Sequence, residues 1–345
     1  MKDRIEYIDA MRGLAMFMVV VYHITFGCFH SDNIITKIVN VQLELPLFFF
    51  ISGFFANKMS RNGFRKAIVD KFSYLVVPAL IMMAIYCWVM DFDFFEGLQK
   101  RLKEGYWFTL VLFEFIVIFL CSEWIGEKLN LSPLLKKYLH LFVGIILIYV
   151  ASFSEKHNAQ YPIINTFTIG EFGHYIYFVL GMIFFSMHGF MCNLLKNKWL
   201  LGGVISAYII ADILRYKYGF ACLRLGAMAS VSVLILLGLL IIWGTFLHYE
   251  GLSKGTLCGR FLHLLGRRSL DVYFIHYFIL PFNMPFVGKF FEIYHNPFIE
   301  YSLAVGIAIL VTLASLGIGC IVRLSPILAR WLLGVNQGRE TTNTI

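Results

Sequence analysis

Arg12 and His23 stand eleven residues apart in the stretch YIDAMRGLAMFMVVVYHI, with no charged residue between them. At about 100° per residue that spacing is three turns plus about 20°, so one helix face carries both. Their separation along the axis is about 16 Å. Arg12 would lie at the edge of an apolar span and His23 near its middle. A histidine at that depth is unfavourable unless it faces a polar cavity or finds a partner, which makes it a functional-site candidate. Two readings stand. His23 is a base in a cavity whose mouth holds Arg12, or it is satisfied by a neighbouring helix and Arg12 is a charge anchor.

Other polar residues interrupt apolar stretches. Glu44 and Glu114 do so and are expected to face a cavity, either binding an acceptor, orienting His23 or making a structural hydrogen bond. Tyr273 and His276, three residues apart, share a helix face and form either a pocket wall or a packed pair. Asp271 and His276 are five apart, about 140° around a helix, and do not make a dyad. His140, His174 and His188 lack a metal spacing such as HExxH, so no metal site is expected. The seven cysteines occur singly, without a CxxC, and read as small buried hydrophobes rather than disulfides or ligands.

The elements that must position these groups follow from composition. Hydrophobic residues make up 59% of the 345 and charged residues only 14%, with 35 Phe and 18 Tyr. A soluble fold cannot hide that much apolar surface, and the aromatic excess suits helices ending at membrane interfaces. Apolar stretches of spanning length are expected near 8–29, 36–57, 73–90, 106–122, 137–153, 171–190, 198–213, 222–247, 269–287 and 299–322. The expected fold is therefore all-α, a polytopic transmembrane bundle of about ten helices. The first run has the length of a signal peptide, but it holds Tyr22 and His23 and no small-residue cleavage site follows, so it reads as a retained helix.

Charge sets the orientation. With the N-terminus cytoplasmic, twenty of the 29 Lys and Arg fall inside and nine outside, which favours both termini inside. The net charge of +8 is scattered in short inter-helix clusters, so a nucleic-acid partner is not expected. Residues 91–105, 154–170 and 288–298 would be loops on the far side, and 248–268 the longest cytoplasmic loop. One membrane domain over 1–345, multi-pass in the plasma membrane, is expected, with the lipid bilayer as its first partner.

The first helix resembles that of the membrane acyltransferases of family 3, whose members share an Arg, ten residues and a His, preceded by an acid like Asp9 and ending in a pair like Tyr22-His23. ELPLFFFISGFF (44–55) is similar to the PLFFFISG segment of the family's fucose 4-O-acetylase-like branch. YWFTL (106–110) resembles its Trp-centred helix start, and GRRSLDVYFIH (266–276) its Gly, Ser, Tyr, His pattern, here Gly266, Ser269, Tyr273 and His276. Two stretches depart from the pattern. FRKAIVDKFSYLVVP carries Asp70 and few arginines before Pro78, and Glu44 stands two residues before Pro46.

The resemblance implies an O-acyltransferase that moves an acyl group, acetyl first, from acyl-CoA to a carbohydrate or glycan hydroxyl. His23 and Arg12 would be catalytic, and Glu44, Glu114, Trp107, Tyr273 and His276 would bind substrate. The size of the donor fits. A pantetheine arm spans ~15 Å, like four or five extended residues, so phosphates at Arg12 would bring the thioester to the depth of His23. Away from water and beside positive charge, a histidine favours its uncharged form and can act as a base; a transient acyl-histidine is the other route. The basic loop 58–71 either holds the nucleotide end of CoA or reflects topology alone. An ion-coupled transporter or flippase is the competing class; it calls for inverted repeats and gives no reason for the Arg-to-His spacing.

Overall fold

A computed structural model describes residues 6–39, 43–56, 63–157, 162–218 and 227–335 of the chain. Lys2, Arg4, Lys58, Arg61, Asn158, Cys222 and Arg339 lie outside them. The helices that frame the site are α1 (Glu6–Tyr22), α2 (Glu44–Phe54), α3 (Phe64–Val89), α4 (Trp107–Lys128), α5 (Pro133–His157), α6 (Tyr175–Ser186), α7 (His188–Leu195), α8 (Lys198–Tyr218), α9 (Ala227–His248), α10 (Leu257–Arg267), α11 (Ser269–Ile275) and α12 (Pro297–Val322). No strand occurs among the described residues. Seven helical stretches there are long and apolar enough to cross a bilayer, and α7 with α8 makes an eighth if that pair, bent by 84°, is one span. The protein is an all-helical, multi-pass membrane protein.

Two of the ten expected spans come out short. Helix α2 has 11 residues, about 16 Å of helix. The stretch 269–287 is broken: α11 and a 3-10 turn end at Phe278, and a new helix begins only at Pro285, because Pro281 cannot donate to a continuing ladder. The bend between α7 and α8 has a local cause: the Asn197 Oδ1 accepts from the main-chain N–H of Trp199 at 3.0 Å and starts a new helix. In α3 the stretch Phe72–Val76 is π-helical just before Pro78. The proline removes a donor and crowds the carbonyl four residues back, so the ladder widens there.

One compact unit comprises Met1–Phe48, Ser186–Ser269 and Leu280–Leu313. In it, residues 248–268 are not the long loop expected from their charge. They contain α10, whose buried Gly259, Leu262, Leu265 and Gly266 lie on one face while Arg260 and Arg267 are exposed. Eleven residues with that many charges escape a search for twenty apolar ones. Helix α10 packs on α1 main chain to main chain. A Cβ on Gly13 would sit 1.9 Å from the Leu262 carbonyl oxygen, and one on Gly266 1.7 Å from the Asp9 carbonyl oxygen. Small residues permit such an approach. An apolar cavity of about 590 Å³ opens beside Leu14, Phe17 and Phe261. Leu14 and Phe17 lie roughly 140–200° around α1 from Arg12, so the cavity is not on the Arg12 face.

The second unit comprises Phe49–Phe185, Leu270–Ile279 and Ala314–Ile345. Here the end of α2 crosses α6 in the same manner: Cβ atoms on Gly53 and Gly181 would meet the carbonyl oxygens of Phe178 and Phe50 at 1.8 and 1.9 Å. The Phe49 ring lies tilted against those of Phe108 and Phe115, with centroids 5.0 and 4.9 Å away. Arg323, just past the end of α12, holds the buried Asp271 with two bonds of 2.8 and 2.7 Å. That paired fork satisfies a carboxylate which would otherwise be unfavourable in the interior. The cysteines differ from expectation in part: Cys28 and Cys87 are buried, but Cys258, on the amphipathic α10, and Cys320, on a face of α12 turned away from its neighbours, are exposed.

Candidate functional site

In the first unit, α1 is regular from Glu6 to Tyr22 and carries Arg12 half-buried. The helix then changes character at His23, which opens a π-helical stretch to Cys28. The Phe29 N–H reaches back five residues to the Ile24 carbonyl at 2.9 Å, and the Thr25 hydroxyl donates to the Val21 carbonyl at 3.0 Å. A side-chain hydroxyl competing for a helix carbonyl loosens the ladder at that point. Local widening of this kind is found frequently at functional sites. His23 is half-buried, and its ring stands edge-on to Tyr22 with centroids 5.4 Å apart.

Glu44 belongs to the same unit. It is buried in the first turn of α2. Its Oε2 has no hydrogen-bond partner among the described residues, and its carboxyl acts electrostatically on Tyr22, the neighbour of His23 in sequence. Sequence reasoning missed two further pairs here. His263 on α10 stands 3.9 Å from the buried Asp9 carboxyl. His188 takes a hydrogen bond of 2.7 Å with the Tyr7 hydroxyl and lies 3.4 Å from the Cys192 sulfur. Only a reading of 248–268 as an amphipathic helix would have exposed the first pair.

In the second unit, α4 carries Trp107 and Glu114. They are seven residues apart, within about 20° of one face and about 10 Å apart along the axis. Both are half-buried, and the Glu114 Oε2 accepts from the Thr168 hydroxyl. Tyr273 is turned to architecture: its hydroxyl donates to the Gly105 carbonyl and accepts from the Phe108 N–H, each at 3.2 Å. His276 is fully buried, with Nδ1 at 2.8 and 2.9 Å from the carbonyls of Val272 and Tyr273. Nδ1 is therefore the protonated nitrogen, since both neighbours are acceptors. The rings of Tyr273 and His276 lie 6.4 Å apart.

Sequence reasoning left Lys103 in a far-side loop. It is fully buried, and burial pulls its ammonium down to about 8 against the field of Glu114 and Glu171. Nearby, Arg101 binds Glu171 at 2.7 Å and Glu155 at 3.2 Å. The run RLKEGYW has no apolar periodicity, so nothing in the letters marks Lys103 as interior.

A comparison with protein families finds one whose model, described as an acyltransferase domain of family 3, matches residues 5–320. No curated protein and no solved structure gives a match.

Proposed function

The chain belongs to acyltransferase family 3, and from that premise we propose that it transfers an acetyl group from acetyl-CoA to a hydroxyl of a carbohydrate or glycan, within the plasma membrane and with both termini cytoplasmic. It is an acyltransferase by family; donor, acceptor and residue roles are our reading. The observation that most supports the roles is the change of α1 from regular helix, bearing Arg12, to π-helix at His23. Regular geometry between the two residues keeps them on one face about 16 Å apart, close to the reach of a pantetheine arm.

In this reading Arg12 binds the phosphates of the donor through paired guanidinium bonds. The His23 imidazole takes the proton of the acceptor hydroxyl as its oxygen attacks the thioester carbon. The tetrahedral intermediate collapses by breaking the carbon–sulfur bond, and the departing CoA thiolate takes the proton from the imidazolium. Ester and free CoA result, and His23 returns to its starting form. Glu44 orients His23. Trp107 and Glu114 bind the acceptor, and Tyr273 and His276 bind substrate through their rings, since the Tyr273 hydroxyl and the His276 Nδ1 are already bonded.

The test uses purified full-length protein with labelled acetyl-CoA and a panel of methyl glycosides. Wild type should form an acetyl ester, and His23→Ala should lose 10²–10⁴ of the rate, roughly the contribution of a general base. A folded His23→Ala with more than about a tenth of wild-type turnover overturns the assignment of His23.

A further inference from the structure

Three consecutive residues before α4 take left-handed backbone: Lys103 at φ 44°, Glu104 at 50° and Gly105 at 96°. Only glycine adopts this region without steric penalty, so the segment is held from outside. The Tyr273 hydroxyl bonds the Gly105 carbonyl, the Tyr106 hydroxyl donates to the Phe274 carbonyl at 3.2 Å, and Lys100 holds Glu104 at 3.0 Å. A Cβ on Gly105 would fall 2.1 Å from the Tyr277 ring. The consequence of this arrangement is the burial of the Lys103 ammonium. Strained non-glycine backbone persists where its surroundings over-determine it, and it clusters at ligand sites.

The ammonium has three donors, and among the described residues Nζ gives one hydrogen bond, to the Asn165 carbonyl. Two carboxylates reach it electrostatically, Glu114 and Glu171. Glu171 is taken up by Arg101 at 2.7 Å and lies 3.5 Å from His174. Glu114 accepts from Thr168, itself left-handed at φ 45°, and no direct ion pair joins it to Lys103 among the described residues. A buried cation and a carboxylate thus share a small region without touching. An anionic ligand would meet the carboxylates and a cationic one the ammonium. A hydroxyl does neither, and its single oxygen both accepts from an ammonium and donates to a carboxylate.

We infer that Lys103 and Glu114 bind one hydroxyl of the acceptor between them, with Trp107, on the same face of α4 as Glu114, supplying a flat surface for a sugar ring. The inference rests on the reading of the protein as a carbohydrate O-acyltransferase. It adds Lys103 as a specificity-determining residue and narrows the acceptor to an uncharged polyol at this position.

The experiment takes the best acceptor of the methyl glycoside panel and measures KM and kcat for full-length wild type, Lys103→Met and Glu114→Gln, with size-exclusion profiles as folding controls. Each substitution should raise the acceptor KM roughly tenfold to a hundredfold, the worth of a hydrogen bond to a charged group. The KM for acetyl-CoA should stay within twofold. A set of monodeoxy glycosides should contain one that wild type uses with a similarly raised KM, and that one should lose nothing more in Lys103→Met. Unchanged acceptor KM in both folded variants overturns the inference while leaving the acyltransfer reading intact, as does a parallel rise in the acetyl-CoA KM. Should Lys103→Met not fold, Glu114→Gln and the deoxy set decide on the same criteria. If wild type acetylates no glycoside of the panel, the carbohydrate reading fails and this inference with it.

Discussion

Gly266→Ala tests whether the α1–α10 crossing positions Arg12. The added methyl carbon would lie 1.7 Å from the Asp9 carbonyl oxygen and 2.7 Å from its carbon, both main-chain atoms that cannot rotate away. Non-bonded heavy atoms rest at about 3.5 Å, so α1 and α10 must part by something on the order of 1.5 Å at this point. Over-packing of this kind costs about 1–3 kcal/mol. The displaced stretch of α1 runs from Asp9 to Gly13 and includes Arg12. A misplacement of about 1 Å can lower a rate by about 10².

The assay is paired. Thermal unfolding of the purified protein should fall by several degrees, and transfer at limiting acetyl-CoA, per folded molecule, should fall more than tenfold, a loss that mere destabilisation does not produce. Gly202→Ala, on α8, is the control. A Cβ there meets nothing within 4 Å, and alanine is favoured over glycine in a helix by up to about 1 kcal/mol. It should unfold no earlier than wild type. Wild-type unfolding and wild-type rate in Gly266→Ala would refute the close crossing as the support of Arg12.

Arg12→Lys keeps the charge but loses the paired fork, so the KM for acetyl-CoA should rise about tenfold with insertion unaffected; full activity at limiting donor would leave Arg12 a topological anchor. Tags on both termini should be reachable only from the cytoplasm, and a cysteine placed at Asn158 should label only from outside, as assayed with impermeant reagents on intact cells; opposite accessibility of the two termini would overturn the orientation. Burial holds Lys103 near 8 when its ordinary value is 10.5, so the folded protein releases this proton before the unfolded chain does. Unfolding free energy should therefore rise with pH between about 8 and 10.5, where the unfolded state binds more protons, while the acceptor KM also rises as the ammonium is lost. Stability and affinity move in opposite useful directions, and both trends should vanish in Lys103→Met, as measured by unfolding and kinetic titrations from pH 7 to 10.

Much of this was legible because membrane helices advertise themselves by length and hydropathy. The spans at Glu6–Cys28, Trp107–Lys128 and Pro297–Val322 lie close to where apolar runs of about twenty residues put them. What stayed hidden was whatever is short, charged or non-local. Helix α10 is too short and too basic for that search, and its apolar face shows only against α1. The proline-interrupted stretch after His276 kept the hydropathy of a span without the ladder of one. Lys103 is interior only because residues 170 positions away, Tyr273 among them, hold a left-handed segment in place. No local pattern encodes such a contact.

The motif residues divide in a way that sharpens the roles. Gly53 in FFFISGFF and Gly266 in GRRSLDVYFIH each stand where one helix touches the main chain of another, so their presence follows from packing. Tyr273 follows from its two main-chain bonds around Gly105 and Phe108. Packing does not account in the same way for Glu44, a buried carboxyl whose Oε2 lacks a hydrogen bond among the described residues. Nor does it explain why α1 gives up α-helical geometry at the histidine, where the Thr25 hydroxyl takes a carbonyl the main chain would otherwise use. A membrane interior disfavours both features. In the reading proposed above, these features serve the chemistry, together with the regular helix back to Arg12. The test of that statement is whether Glu44→Gln, which preserves shape and removes the carboxyl's capacity to exchange a proton, lowers kcat while leaving both KM values and the unfolding temperature where they are.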